Sequence, residues 1–153
     1  VASIDFQTLS QLIRHLTAKL PGLIAIYLFG SAGRGQLRPD SDVDIGFLCD
    51  ASQRKLEELE LWELRAELEG IAHRDVDVID CSQADPVLRA EIMLHGVRVF
   101  SSNDTKALEA EILSQRLRED FGISMRPVLE DVFTSGQAAG GTEPGQPRGN
   151  RPT

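Results

Sequence analysis

Seven consecutive apolar residues, LIAIYLF at positions 23–29, limit most narrowly what this chain can fold into. A surface helix or a half-buried strand would interleave polar side chains, and this run has none, so it reads as a buried central strand. At seven residues it is far too short to cross a bilayer. The run breaks at Gly30-Ser31. A second apolar run then opens with Asp42 and Asp44 one residue apart, and Asp40, Ser41, Asp42 and Asp44 crowd into five positions. Alternation predicts a strand over 42–48 in which Val43, Ile45 and Phe47 face one way and Asp42, Asp44 and Gly46 the other.

Around these two strands the spacing predicts a helix over 5–19, stopped by Pro21-Gly22, and a glutamate-rich helix over 52–70 through Leu56, Leu59, Leu61, Trp62, Leu64 and Leu68. RDVDVID then alternates as a third strand, with Val76 and Val78 opposite Asp75, Asp77 and Ile79. A helix over 86–94, closed by Gly96, leads to a short fourth strand, VRVF. From an N-cap at Asn103 the pattern predicts another helix through Leu108, Ile112, Leu113, Leu117 and Phe121, resuming after Pro127 as far as Phe133. The expected class is α/β (α+β), a mixed sheet of about four strands with flanking helices. With 153 residues the chain fits one domain, expected over 1–134, and the Gly- and Pro-rich stretch 135–153 is expected to be disordered.

Net charge is −8, and Glu57, Glu58, Glu60, Glu63, Glu67 and Glu69 cluster in one segment. Such a surface repels phosphate backbones, so stable nucleic-acid binding is not expected. No membrane segment or apolar signal region is evident, which makes the cytoplasm the default expectation. Cys49 and Cys81 each end a strand-like run and read as reduced core residues. His15, His73 and His95 lack the spacing of a metal site.

A strand that ends in Gly-Ser and turns into a short helix presents free backbone N–H groups, where phosphates bind readily. Gly30 permits close backbone approach and Ser31 adds a hydroxyl donor. Two carboxylates on one face of the next strand repel each other unless a cation lies between them, and hard oxygen ligands suit magnesium held together with substrate phosphates. A third acid on a neighbouring strand, Asp77, would complete a two-metal site and orient or deprotonate an attacking hydroxyl. The chemistry so described is nucleotidyl transfer, in which a hydroxyl attacks the α-phosphorus of a nucleoside triphosphate and pyrophosphate leaves. Gly-x-Gly and Pro-Asp-Ser stretches also make ordinary turns, but the strand context and the four fixed offsets favour the nucleotide site.

Gly30-Ser31, ten residues, then Asp42-x-Asp44 resembles the signature of the nucleotidyltransferase superfamily. More narrowly, GSAGRGQLRPDSDVDIGFL, DVDVID and DPVLRAEIMLHGVRVF look like the minimal nucleotidyltransferase (MNT) domains that act as antitoxins beside HEPN toxins. The resemblance implies a palm-like nucleotidyltransferase sheet and two Mg2+ ions held by Asp42, Asp44 and Asp77. Gly30, Ser31, Arg34 and Ser41 would lie on the nucleotide side. Asp75, on the same strand face, is the alternative third acid, whereas Asp80 points oppositely and reads as a strand-end cap. Gly33 stands where the family often has Ala. The resemblance further implies ATP as substrate, a HEPN ribonuclease as partner in a hetero-oligomer, and AMP transfer onto a toxin tyrosine. Two rivals stay open: a small-molecule (antibiotic) nucleotidyltransferase, and an antitoxin that neutralises by binding alone.

Overall fold

The computed structural model describes residues 4–33 and 41–121. The LIAIYLF run forms β1 (Leu23–Phe29) after α1 (Phe6–Lys19), and all seven of its residues are buried. A four-residue helical turn, α2 (Gly30–Gly33), follows at once. β2 (Val43–Cys49), α3 (Glu58–Ala72), β3 (Val76–Asp80), α4 (Pro86–His95), β4 (Val97–Ser101) and α5 (Asp104–Phe121) complete the order. The sheet runs β3-β2-β1-β4, with β1 antiparallel to both neighbours and β2 parallel to β3. This is the expected four-strand mixed sheet with flanking helices.

Being central, β1 buries both faces. Ile26 and Leu28 join Val43, Ile45 and Phe47 under Leu12 and Leu16 of α1 and Leu64 and Leu68 of α3. Each fully buried leucine there contributes about 2 kcal/mol. Ala25, Tyr27 and Phe29 face the other way, against Ile92 and Met93 of α4 and Ala107 of α5. Gly46 lets α4 come close, because a Cβ there would stand 2.7 Å from Ile92 Cγ2 and 3.0 Å from Cys81 Sγ. Both cysteines are free thiols, Cys81 buried and Cys49 half-buried; burial pushes Cys81 up to about 12.

α3 departs most from the sequence expectation. It begins at Glu58 instead of Ser52, because Asp50 accepts from the Ser52 backbone N–H and makes a turn. Glu57 and Glu60 then form a capping box. The helix runs through the exposed Gly70 to Ala72, and His73 closes it in the left-handed conformation, φ 55°. Leu59 and Trp62, both part of the expected apolar stripe, point to solvent at 64% and 66% exposure. Likewise α5 is anchored by Ala107 and Ser114, while Leu108, Ile112 and Leu113 lie outward. β2 starts at Val43, so Asp42 sits just ahead of it. The predicted helix resuming after Pro127 and the tail 135–153 fall outside the described residues. No described helix is long and apolar enough to cross a membrane.

Candidate active site

The end of β1, the turn α2 and the starts of β2 and β3 converge on one corner of the sheet. Antiparallel pairing sets Phe29 opposite Asp44, and parallel pairing sets Asp44 beside Asp77. Residues paired in a ladder project from the same face, so Asp44 and Asp77 share the face that carries α4 and α5. Asp75 precedes β3, where its carbonyl accepts from the Val43 N–H at 2.9 Å. The Arg74 guanidinium donates to the Ser41 carbonyl at 3.4 Å, fixing the approach to Asp42. Asp42, Asp44 and Asp77 are all half-buried, and Asp75 is exposed.

Gly30 adopts φ +61°, which turns the chain away from β1 beneath the Asp44 carboxylate. Ser31 follows, its Oγ buried with no hydrogen-bond partner. A buried hydroxyl without a partner is costly, and a phosphate oxygen seated on this turn would satisfy it. Asp42 has its carboxyl pushed above its ordinary value, first by burial and then by the charges of Asp77 and Asp75. Arg65 of α3 counters that repulsion. It lies 3.7 Å from Asp77 Oδ1 and donates to Glu69 Oε1 at 3.1 Å.

The corner thus brings together Gly30, Ser31, Asp42, Asp44 and Asp77, with Ser41 and Asp75 at its margin. Arg34 lies outside the described residues. Asp80 is apart from the site, accepting from Ser82 and Gln83 as a strand-end cap. As the side chains stand, no three His, Cys, Asp or Glu among the described residues form a metal-holding group. The donor set still fits magnesium in kind: hard carboxylate oxygens in mutual repulsion, beside a turn with a buried unpartnered hydroxyl. The sequence does not single out Arg65, which lies within the glutamate-rich helix; its i,i+4 spacing to Glu69 is the available signal.

Known proteins resemble this chain in sequence and in fold. The family described as polymerase beta, nucleotidyltransferase matches residues 11–105, which include every site residue named above. The protein adenylyltransferase MntA of Shewanella oneidensis is 26% identical over 126 residues, 82% of this chain and 88% of that protein. Among solved structures, a chain of a toxin-antitoxin complex with AMP-PNP superposes with a TM-score of 0.68 at 25% identity, covering 81% of this chain and 97% of that one. A chain from the complex of a tri-AMPylated Shewanella oneidensis HEPN toxin with MNT antitoxin shares the fold, with a TM-score of 0.64 at 23% identity over 83% and 97% of the two chains.

Proposed function

Because this chain belongs to the polymerase beta nucleotidyltransferase family, we propose that it transfers AMP from ATP to a hydroxyl presented by a partner protein, a tyrosine of a HEPN-type ribonuclease toxin, and so neutralises it. The observation that carries this reading is the corner itself: Asp44 over the Gly30-Ser31 turn, Asp42 just ahead of it on the chain, and Asp77 in register with Asp44. The similarity to a protein adenylyltransferase over most of both chains supports a protein acceptor over a small molecule. An ATP-dependent reaction on a ribonuclease suits the cytoplasm.

In this reading the backbone N–H groups of α2 and the Ser31 hydroxyl hold the triphosphate, with Ser41 beside it, and the family resemblance adds Arg34 as a phosphate contact. Asp42, Asp44 and Asp77 would hold magnesium, two ions in the family pattern, which supplies Lewis-acid activation and charge neutralisation at the phosphates when bound. The tyrosine oxygen forms a bond to the α-phosphorus as the bond to the bridging oxygen breaks and pyrophosphate departs. Asp77 or a water accepts the tyrosine proton.

The test combines the chain with ATP, magnesium and a HEPN-type ribonuclease toxin as candidate partner. Intact mass of the partner is expected to rise by whole AMP units as its RNA cleavage disappears. Asp42→Ala with Asp44→Ala should stop both. Neutralisation by that double variant with no added mass would favour the binding-only antitoxin, and transfer to aminoglycosides without a partner the antibiotic-modifying enzyme.

A further inference from the structure

Arg65 reaches the carboxylate corner from the opposite face of the sheet. α3 packs its Leu64 and Leu68 into the core beneath α1, whereas Asp44 and Asp77 share the α4 and α5 side. Since β3 is the edge strand, the Arg65 side chain can pass around that edge. There its NH2 lies 3.7 Å from Asp77 Oδ1, and its Nε donates to Glu69 Oε1. Its positive charge is also felt at Asp75 and Asp42. Two carboxylates, those of Glu69 and Asp77, therefore pair with one guanidinium.

Resting on the nucleotidyl-transfer reading, we infer that Arg65 is the resident counter-cation of this corner, holding Asp77 until a divalent ion displaces it, and that this competition sets the metal affinity of the site. The physical reason is that clustered carboxylates repel strongly without a cation among them, and an arginine supplies that charge from within the chain. Asp77 Oδ1 stands within ion-pair reach of Arg65 on the edge strand β3. This accounts for Asp44 and Asp77 being adjacent in register while the three acids are not gathered for a metal. An ion pair this exposed, with side chains 45% and 50% accessible, is weak enough for a divalent ion to break. Arg65 is accordingly a positioning residue, acting through Asp77.

Mn2+ alone, without nucleotide, is the probe. Its binding to the full chain is measured by calorimetry or by electron paramagnetic resonance of the free ion at low ionic strength. Arg65→Gln is expected to tighten binding roughly threefold to tenfold. Arg65→Lys, which keeps the charge, should stay near the wild type. With Asp77→Asn present the same Arg65→Gln change should alter binding less than about twofold, since the pair it would break is already gone. Unchanged or weaker binding by Arg65→Gln would overturn the inference, as would an equal gain in both backgrounds, which is what a long-range field gives. If Asp42→Ala with Asp44→Ala leaves wild-type Mn2+ binding intact, the metal-site reading falls and Arg65's role with it. Arg65 lies on the exposed side of α3 and glutamine is a good helix former, so melting temperature should hold across the series.

Discussion

Gly30 lies directly beneath Asp44: a Cβ on Gly30 would run into Asp44 Oδ2. The left-handed φ of +61° that makes this approach possible is itself unfavourable for any residue with a Cβ. Gly30→Ala is therefore expected to cost about 1–3 kcal/mol, measured by urea unfolding. It should also lower AMP transfer about tenfold or more, because the added carbon displaces the carboxylate proposed to hold the metal. Unchanged stability would mean that the turn does not hold this geometry in solution.

Tyr27, 1% exposed in the middle of β1, ties the sheet to α5. Its hydroxyl donates to Glu111 Oε1 at 2.8 Å, and Arg98 of β4 lies 3.4 Å from the same oxygen. Burial first, and the Glu111 carboxylate second, push the phenol far above its ordinary value, so it remains a donor at any working pH. Tyr27→Phe keeps the ring packing but leaves a half-buried carboxylate short of a donor. The expected loss is about 1–2 kcal/mol by chemical denaturation, with nucleotide binding unchanged.

Asp50 fastens the end of β2 to α5. It accepts from Lys106 Nζ at 2.6 Å and from the Ser52 backbone N–H at 3.0 Å. These bonds, the one from Lys106 foremost, hold its carboxyl well below the usual carboxylate range. As pH falls the unfolded chain takes up this proton first. The stabilisation is thus full above the ordinary Asp value near 4, and it is lost as pH drops toward the depressed folded value. Asp50→Asn should lower the melting temperature by roughly 1–3 °C at neutral pH, with the gap narrowing below about pH 4. Calorimetry across that range checks it, and a constant gap would contradict it.

How far each feature was legible depends on the distance over which it is encoded. β1 declared its burial through seven contiguous residues, and Gly30, Ser31, Asp42 and Asp44 were readable because their offsets are local. Asp77 could be assigned to a strand face but not to a partner, since its register with Asp44 is set by a parallel pairing across all of α3. Leu59 and Trp62 misled because apolar spacing gives a helix its period without saying which residues meet the sheet. The true start of α3 was hidden by the Asp50 turn, whose side-chain hydrogen bonds compete with helix formation.

The structure distinguishes two neighbouring acids, Asp77, which the sequence favoured as the third acid, and Asp75, its alternative. Asp77 is half-buried and stands beside Asp44 in the ladder, whereas Asp75 is exposed ahead of β3 and is held there through its backbone carbonyl by the Val43 N–H. A group that takes part in the reaction must lie within reach of the Asp42 and Asp44 carboxylates, and Asp77 is the acid placed in register with Asp44. Asp77→Asn is expected to reduce AMP transfer on the order of a hundredfold, as loss of a general base or metal ligand does. Asp75→Asn should cost no more than about threefold, because it removes only a nearby charge. Both retain backbone pairing, so single-turnover rates at saturating ATP and magnesium compare them directly. A larger loss with Asp75→Asn than with Asp77→Asn would move the third-acid role one side chain along the same face.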